Sequence, residues 1–167
     1  MNETYFFHQT PHQLAKDLMN HIPIQEGDVC FEPFRGTGAF YNSFPEFSKK
    51  EWCEITEGRD YKEYTGTMDW VISNPPFRLE TETGRKNAFY DLVEYFAGRV
   101  NKGIAFLGND YCFSTLTPRR LQKLKEDYGL TISSITVCTI KKWRGRYFFF
   151  VLTKEPTPFY KYLLPVY

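Results

Sequence analysis

Apolar residues recur at helical spacing in three stretches of the chain and form short unbroken runs between them. Leu14, Ala15, Leu18, Met19 and Ile22 make the first stripe, and Pro23 ends it. Thr10-Pro11-His12-Gln13 reads as its start, with Thr as N-cap, Pro at the first helical position and Gln three residues past the cap. A second stripe holds Phe89, Leu92, Val93, Phe96 and Val100. Thr117-Pro118 opens a third, with Leu121 and Leu124 facing inward and Arg119, Arg120, Lys123 and Lys125 facing outward. The β-rich runs fall at 28–32, 51–55, 68–73, 103–107, 131–140 and 147–153, while 78–86 and 111–117 read as loops. Strands alternating with helices and a closing hairpin predict a mainly parallel α/β sheet with one antiparallel strand. In such sheets ligands bind beyond the carboxyl ends of the strands. Two strand ends, Glu32 to Gly38 and Asn74 to Phe77, are expected to open onto that edge.

These two ends carry the candidate chemistry. Phe34-Arg35-Gly36-Thr37-Gly38 is a tight glycine turn, and a bare backbone there lets a ligand pack close. Without G-K-[ST] it is not a phosphate-cradling loop, and without a third glycine it is an incomplete dinucleotide fingerprint. Asn74-Pro75-Pro76-Phe77 is more specific. Two prolines in a row fix the backbone near φ of about −65° and remove two N–H donors. What remains is a rigid bracket offering the Asn74 amide oxygen, the Pro75 carbonyl and the Phe77 ring. That set suits a planar ring bearing an NH₂ group: each oxygen accepts one N–H, and the phenyl ring stacks.

Composition sharpens this picture in one respect. Aromatic residues make up 19% of the chain, with 16 Phe, 12 Tyr and 3 Trp, enough to build both a core and platforms for stacking. The formal net charge of +1 argues against a surface that is basic throughout. One segment departs from this balance: Lys141-Lys142-Trp143-Arg144-Gly145-Arg146 has four cations, no acid and a central Trp. It reads either as a solvated hairpin tip whose Trp folds back on the sheet, or as a loop that holds phosphates and stacks on a base. Cys30, Cys53, Cys112 and Cys138 form no C-x-x-C pair and read as buried, reduced thiols. His8 and His12 have no evident third ligand, so no metal site is expected. No run reaches the roughly 20 apolar residues of a membrane span, and the start lacks a signal-peptide pattern. A single domain over 1–167 in a cytoplasmic setting is expected, with no membrane partner.

Glu32-Pro33-Phe34-Arg35-Gly36-Thr37-Gly38 followed by Asn74-Pro75-Pro76-Phe77 resembles the S-adenosylmethionine-dependent amino-methyltransferases of nucleic acids, of the adenine-N6 type and in their gamma order. The resemblance covers about residues 10–153. It implies a Rossmann-like class I methyltransferase fold: a mainly parallel seven-stranded sheet with a C-terminal antiparallel hairpin and helices on both faces. S-adenosyl-L-methionine is the implied cofactor. Thr10 and Pro11 stand at the amino-terminal cofactor motif, and Glu32, Pro33, Phe34, Gly36 and Gly38 at the glycine turn. Glu54 stands at the ribose hydroxyls, Asp60 and Tyr61 beside the cofactor's adenine. Asn74, Pro75, Pro76 and Phe77 are the implied catalytic motif, with Asn74 also at the cofactor. Trp143 is implied to lie against the target base opposite Phe77, and Lys141, Lys142, Arg144 and Arg146 to hold flanking phosphates.

The implied reaction is methylation of the N6 amine of adenine by direct in-line displacement, with no metal and no covalent enzyme intermediate. A duplex base must first be flipped out of the stack. DNA is the expected partner ahead of RNA. With about fourteen residues after Thr153 there is no room for a separate recognition domain, so specificity falls to loops, a homodimer or a second subunit. Two other classes remain open: protein glutamine-N5 methyltransferases, which have Asn-Pro-Pro-Tyr, and a non-catalytic nucleic-acid-binding subunit that keeps the fold.

Overall fold

Six of the apolar runs become strands of one sheet because both of its faces are covered. The computed structural model describes residues 9–81 and 84–154; His8 lies outside them. In chain order the elements are α1 (His12–Met19), β1 (Val29–Glu32), β2 (Lys49–Trp52), β3 (Trp70–Ser73), β4 (Arg78–Thr81), β5 (Gly84–Asn87), α2 (Phe89–Ala97), β6 (Gly103–Asn109), α3 (Asp110–Ser114), α4 (Pro118–Tyr128), β7 (Thr131–Cys138) and β8 (Tyr147–Thr153). The sheet order is β2-β1-β3-β6-β8-β7. Strands β2, β1, β3 and β6 pair in parallel, and β8 runs antiparallel to both neighbours, as the terminal hairpin predicts.

Strand β8 is buried at every position, and its alternate side chains serve opposite layers. Phe148, Phe150 and Leu152 face the layer of α2 and α4, among Phe89, Phe96, Leu121 and Leu124. Phe149 and Val151 face the layer of α1, with Leu18 and Phe40. Phe89 meets Phe150 with ring centroids 5.5 Å apart, and Phe40 stacks on Phe149 at 5.8 Å. Much of the aromatic excess is therefore core. The four cysteines are also buried and unbridged, and burial pushes the Cys30 thiol up to about 11 and Cys112 to about 12.

Among the described residues the sheet has six strands, not seven. The 53–69 connection between β2 and β3 holds only two 3-10 turns, Ile55–Glu57 and Tyr61–Glu63. An additional parallel strand needs a crossover of about a dozen residues on each side, which that length cannot supply. The loop expected at 78–86 is the antiparallel pair β4–β5, with Arg78 opposite Asn87 and Leu79 opposite Lys86. A ribbon outside the main sheet needs no alternating apolar face, so its polar sequence carried no strand signal. The 111–117 stretch likewise contains part of α3, started by Asn109, whose side chain accepts from Cys112 N–H at 3.0 Å. Thr10 is not the cap of α1: Pro11 holds that place in an extended conformation, with no side-chain cap bond. Among the described residues, no helix is long and apolar enough to cross a membrane.

Candidate functional site

Strand β1 delivers its chain into the glycine turn at the carboxyl edge. Gly36 and Gly38 have φ of 52° and 83°, the left-handed region, and Gly38 N–H closes the turn on the Arg35 carbonyl at 2.8 Å. A Cβ at Gly36 would meet nothing within 4 Å, so the turn presents bare backbone to open space. Glu32 lies beneath it, 2% exposed, with Oε2 accepting Tyr41 N–H at 2.6 Å. Burial pushes its carboxyl well above the usual range, only partly offset by that N–H and by Arg35. Glu32 thus fixes the segment returning from the turn. Pro33 beside it is buried.

Glu54 lies two residues beyond β2 and reaches the same turn. Its Oε2 accepts Gly36 N–H at 2.8 Å, and Oε1 accepts the Thr56 hydroxyl at 2.8 Å and N–H at 3.1 Å. Burial alone would raise this carboxyl, but the Gly36 and Thr56 donors and the Arg35 charge outweigh it and hold it low. Asp60 caps the next 3-10 turn by accepting Lys62 N–H at 3.0 Å. Tyr61 sets its ring edge-on to Phe34 at 4.9 Å and to Tyr95 at 5.4 Å. Sequence reasoning missed the clamp behind these residues. The guanidinium carbons of Arg35 and Arg59 lie 3.7 and 3.8 Å from the Trp52 ring centroid, and Arg35 also pairs with Glu57. Arg35 had a signal, since it sits inside the turn motif; Trp52 read only as a strand residue.

Strand β3 brings the second motif to the same edge. Fully buried Ser73 donates its hydroxyl to the Phe34 carbonyl at 3.4 Å, tying the end of β3 to the glycine turn. Asn74, Pro76 and Phe77 are half-buried and Pro75 is buried. Phe77 packs against both core layers, and its carbonyl accepts Ala88 N–H at 3.0 Å. The bracket is therefore fixed by its prolines, by Ser73 before it and by Ala88 beyond the β4–β5 ribbon.

The Trp loop connects β7 and β8 of the terminal hairpin. Trp143 N–H donates to the Ile140 carbonyl at 2.9 Å, and its half-buried ring tilts against Tyr147 at 4.8 Å. The folded-back reading of this Trp is thus partly met: the side chain packs on Tyr147 but is not fully buried. Lys141, Lys142 and Arg144 are exposed, whereas Arg146 pairs with Asp110 of α3 at 2.8 Å. A cavity of about 490 Å³ lies between Thr10, Pro11 and His12, Thr37 of the glycine turn, and Lys142 and Trp143. Thr10 and the Trp loop are therefore neighbours across one opening. Glu54, Asp60 and the Asn74 bracket do not line it. On the basic face of α4, Lys123 pairs with Glu94 and Asp127, and Arg120 lies over Tyr90 and donates to the Thr115 carbonyl.

Solved structures place this arrangement among known folds. A protein of Pyrococcus horikoshii named as an RNA methyltransferase matches over 92% of this chain and 90% of its own, with TM-score 0.60 and 16% identity. A modification subunit of a Vibrio vulnificus protein named as a type I restriction enzyme matches over 92% and 45%, with TM-score 0.66 and 13% identity. The fold is that of the class I methyltransferases. A 16S rRNA guanine-N2 methyltransferase of T. thermophilus, solved with AdoMet and guanosine, shares this class I methyltransferase fold over 90% of this chain and 40% of its own, with TM-score 0.51 and 15% identity. The chain thus spans nearly all of the first protein and less than half of the other two. No protein-family profile matches the chain, and no curated protein sequence does.

Proposed function

We propose that the protein is an S-adenosylmethionine-dependent methyltransferase acting on the exocyclic N6 amine of adenine in DNA or RNA. The observation that carries this reading is the Ser73–Phe34 hydrogen bond, which sets the amine-holding bracket directly beside the glycine turn. The residues present fit the cofactor. Gly36 offers bare backbone facing open space, and Glu54 offers a carboxylate held in its charged form. A carboxylate has about four lone-pair sites, so the three bonds from Gly36 and Thr56 leave one, on Oε2, for a ribose hydroxyl. Tyr61 and Phe34 provide the adjoining aromatic wall. When bound, S-adenosylmethionine supplies an electrophilic methyl group.

The chain's own residues prepare the other reactant. An exocyclic amine is a weak nucleophile because its lone pair is delocalised into the ring. The Asn74 amide oxygen and the Pro75 carbonyl accept its two N–H hydrogens, favour a pyramidal nitrogen and stabilise positive charge as it develops there. Phe77, anchored in both core layers, limits the positions the ring can take. The exposed cations around Trp143 favour a polyanionic substrate over a peptide. The names of two similar proteins, an RNA methyltransferase and a restriction-modification subunit, agree with a nucleic acid.

Transfer of labelled methyl from the cofactor to oligonucleotides, with a glutamine-containing peptide as the competing acceptor, tests the proposal. Label is expected on adenine N6. Label only in the peptide overturns the nucleic-acid reading, and label on guanine or cytosine overturns the adenine assignment. Trp143→Ala is expected to weaken oligonucleotide binding about tenfold while cofactor affinity is kept. A fall in thermal stability alone would assign Trp143 to the core.

A further inference from the structure

We infer that the carboxyl edge takes an unpaired strand of nucleic acid, with Tyr111 as a second stacking platform between the bracket and the Trp loop; this rests on the nucleic-acid reading above. Tyr111 follows the end of β6 in α3 and is 50% exposed; among the described aromatic residues only Phe47, and Phe113 of the same helix, are exposed as well. Its ring lies 5.9 Å from the guanidinium carbon of Arg78, the residue immediately after Phe77. The residue before it, Asp110, pairs with Arg146 of the Trp loop at 2.8 Å. Asn109 is paired with Tyr147 across the β6–β8 ladder, and Tyr147 supports Trp143. A connected path therefore runs from Phe77 and Arg78 through Tyr111 to Trp143.

The chemistry of that path selects its occupant. Exposed rings interleaved with cations suit single-stranded nucleic acid, whose bases have open faces and whose phosphates follow the charges. Arg78, Lys141, Lys142 and Arg144 are all exposed along it. The Arg146–Asp110 pair works differently: it ties the Trp loop to α3, so both aromatic platforms stay on one edge. In a duplex the base faces are already stacked, and Tyr111 would have nothing to cover without prying the helix apart. An unpaired strand can lay successive bases against Tyr111 and the bracket at no such cost.

The test is fluorescence anisotropy with the full chain, a labelled adenine-containing single strand, and the same strand annealed to its complement. The single strand is expected to bind about tenfold or more tighter than the duplex. Tyr111→Ala and Tyr111→Leu should each lose about tenfold for the single strand, Tyr111→Phe should keep the parent affinity, and cofactor affinity should not move. Equal or tighter duplex binding overturns the inference, as does unchanged single-strand binding by the Ala and Leu chains. A Phe chain as weak as the Ala chain also overturns it, because stacking needs only the ring. Adenine methylation of a duplex, unaffected by Tyr111→Ala, would overturn this inference while leaving the functional proposal standing. No binding to either oligonucleotide would overturn both.

Discussion

Strand β1 carries a carboxyl group at each end, and the two are treated in opposite ways. Asp28, just before the strand, is buried among donors: Lys102 Nζ at 2.6 Å, Gln25 N–H at 2.9 Å and Trp70 Nε1–H at 3.0 Å. Burial alone would raise it, but these partners outweigh burial and hold its carboxyl below the ordinary value. Glu32, the last residue of the strand, is buried with one N–H, and its carboxyl is pushed up. The neighbourhoods differ in the same way. Around Asp28, Asp69 accepts from Val29 N–H and Asn101 and closes the amino edge into a hydrogen-bonded network. The carboxyl edge instead leaves a cavity, a bare glycine turn and exposed rings and cations. One sheet thus has a hydrogen-bonded edge and an open edge, the one proposed to take a ligand, and that division can be broken by mutation.

The largest expected effect is at the open edge. Asn74→Ala removes one of the two acceptors proposed for the amine, and the loss of a comparable transition-state contact costs about 10²–10³ in turnover. Cofactor affinity, measured by calorimetry, should change little, because the glycine turn and Glu54 remain. Turnover that survives the substitution would remove Asn74 from the chemistry. A collapse of thermal stability in its place would mean that the bracket belongs to the stabilising half of the sheet.

Asp28→Ala probes the opposite edge and should do the reverse. It strips the acceptor from Trp70 Nε1–H and Gln25 N–H, both held by the same Oδ2, and takes the carboxylate from Lys102, which keeps the Gln25 amide oxygen. A loss of about 2–3 kcal/mol in denaturant unfolding is expected, with cofactor binding by the remaining folded chain unchanged. The pH dependence has a definite sign. Asp28 titrates lower in the folded chain than its ordinary 3.8, so its contribution is present above 3.8 and is lost as pH falls through the folded value. The gap between parent and variant should therefore narrow only in strong acid. A constant gap across that window would mean that the charge of Asp28 contributes nothing.

The same division explains what could be read from the chain before the fold was known. Thr117-Pro118 at the start of α4 and Gly129 at its end are local signals, and the helix runs between them, with Thr117 accepting Arg120 N–H and Gly129 at φ 68°. Strand β8 was legible because a run buried on both faces is apolar throughout. The bracket was legible because two prolines have few other uses at the end of a strand. Features set by distance were not. The absent seventh strand follows from what 53–69 can span, and the Arg35–Trp52–Arg59 stack joins three separate segments. The Arg146–Asp110 pair gives one of the four loop cations an acidic partner on α3 and could be found only with α3 in place.

The smallest effect concerns Glu32, and it decides whether the open edge carries a cost of its own. An acid buried with a single N–H is held more readily as the neutral form, so its folded-state proton is lost at higher pH than in the unfolded chain. Between the ordinary 4.5 and the folded value, the folded chain binds the extra proton, and stability falls as pH rises by up to about 1.4 kcal/mol per pH unit. Glu32→Gln keeps an oxygen for Tyr41 N–H and cannot titrate. Its unfolding free energy should therefore be flat across that window while the parent's declines, so the variant gains on the parent steadily from pH 4.5 upward. Parallel curves would show that Glu32 is charged and compensated like Asp28, and the contrast between the two ends of β1 would fail. If the curves diverge as expected while cofactor affinity is unchanged, Glu32 acts beneath the glycine turn by shape and hydrogen bonding, which leaves Glu54, the carboxylate held in its charged form, as the one proposed to meet the cofactor's ribose.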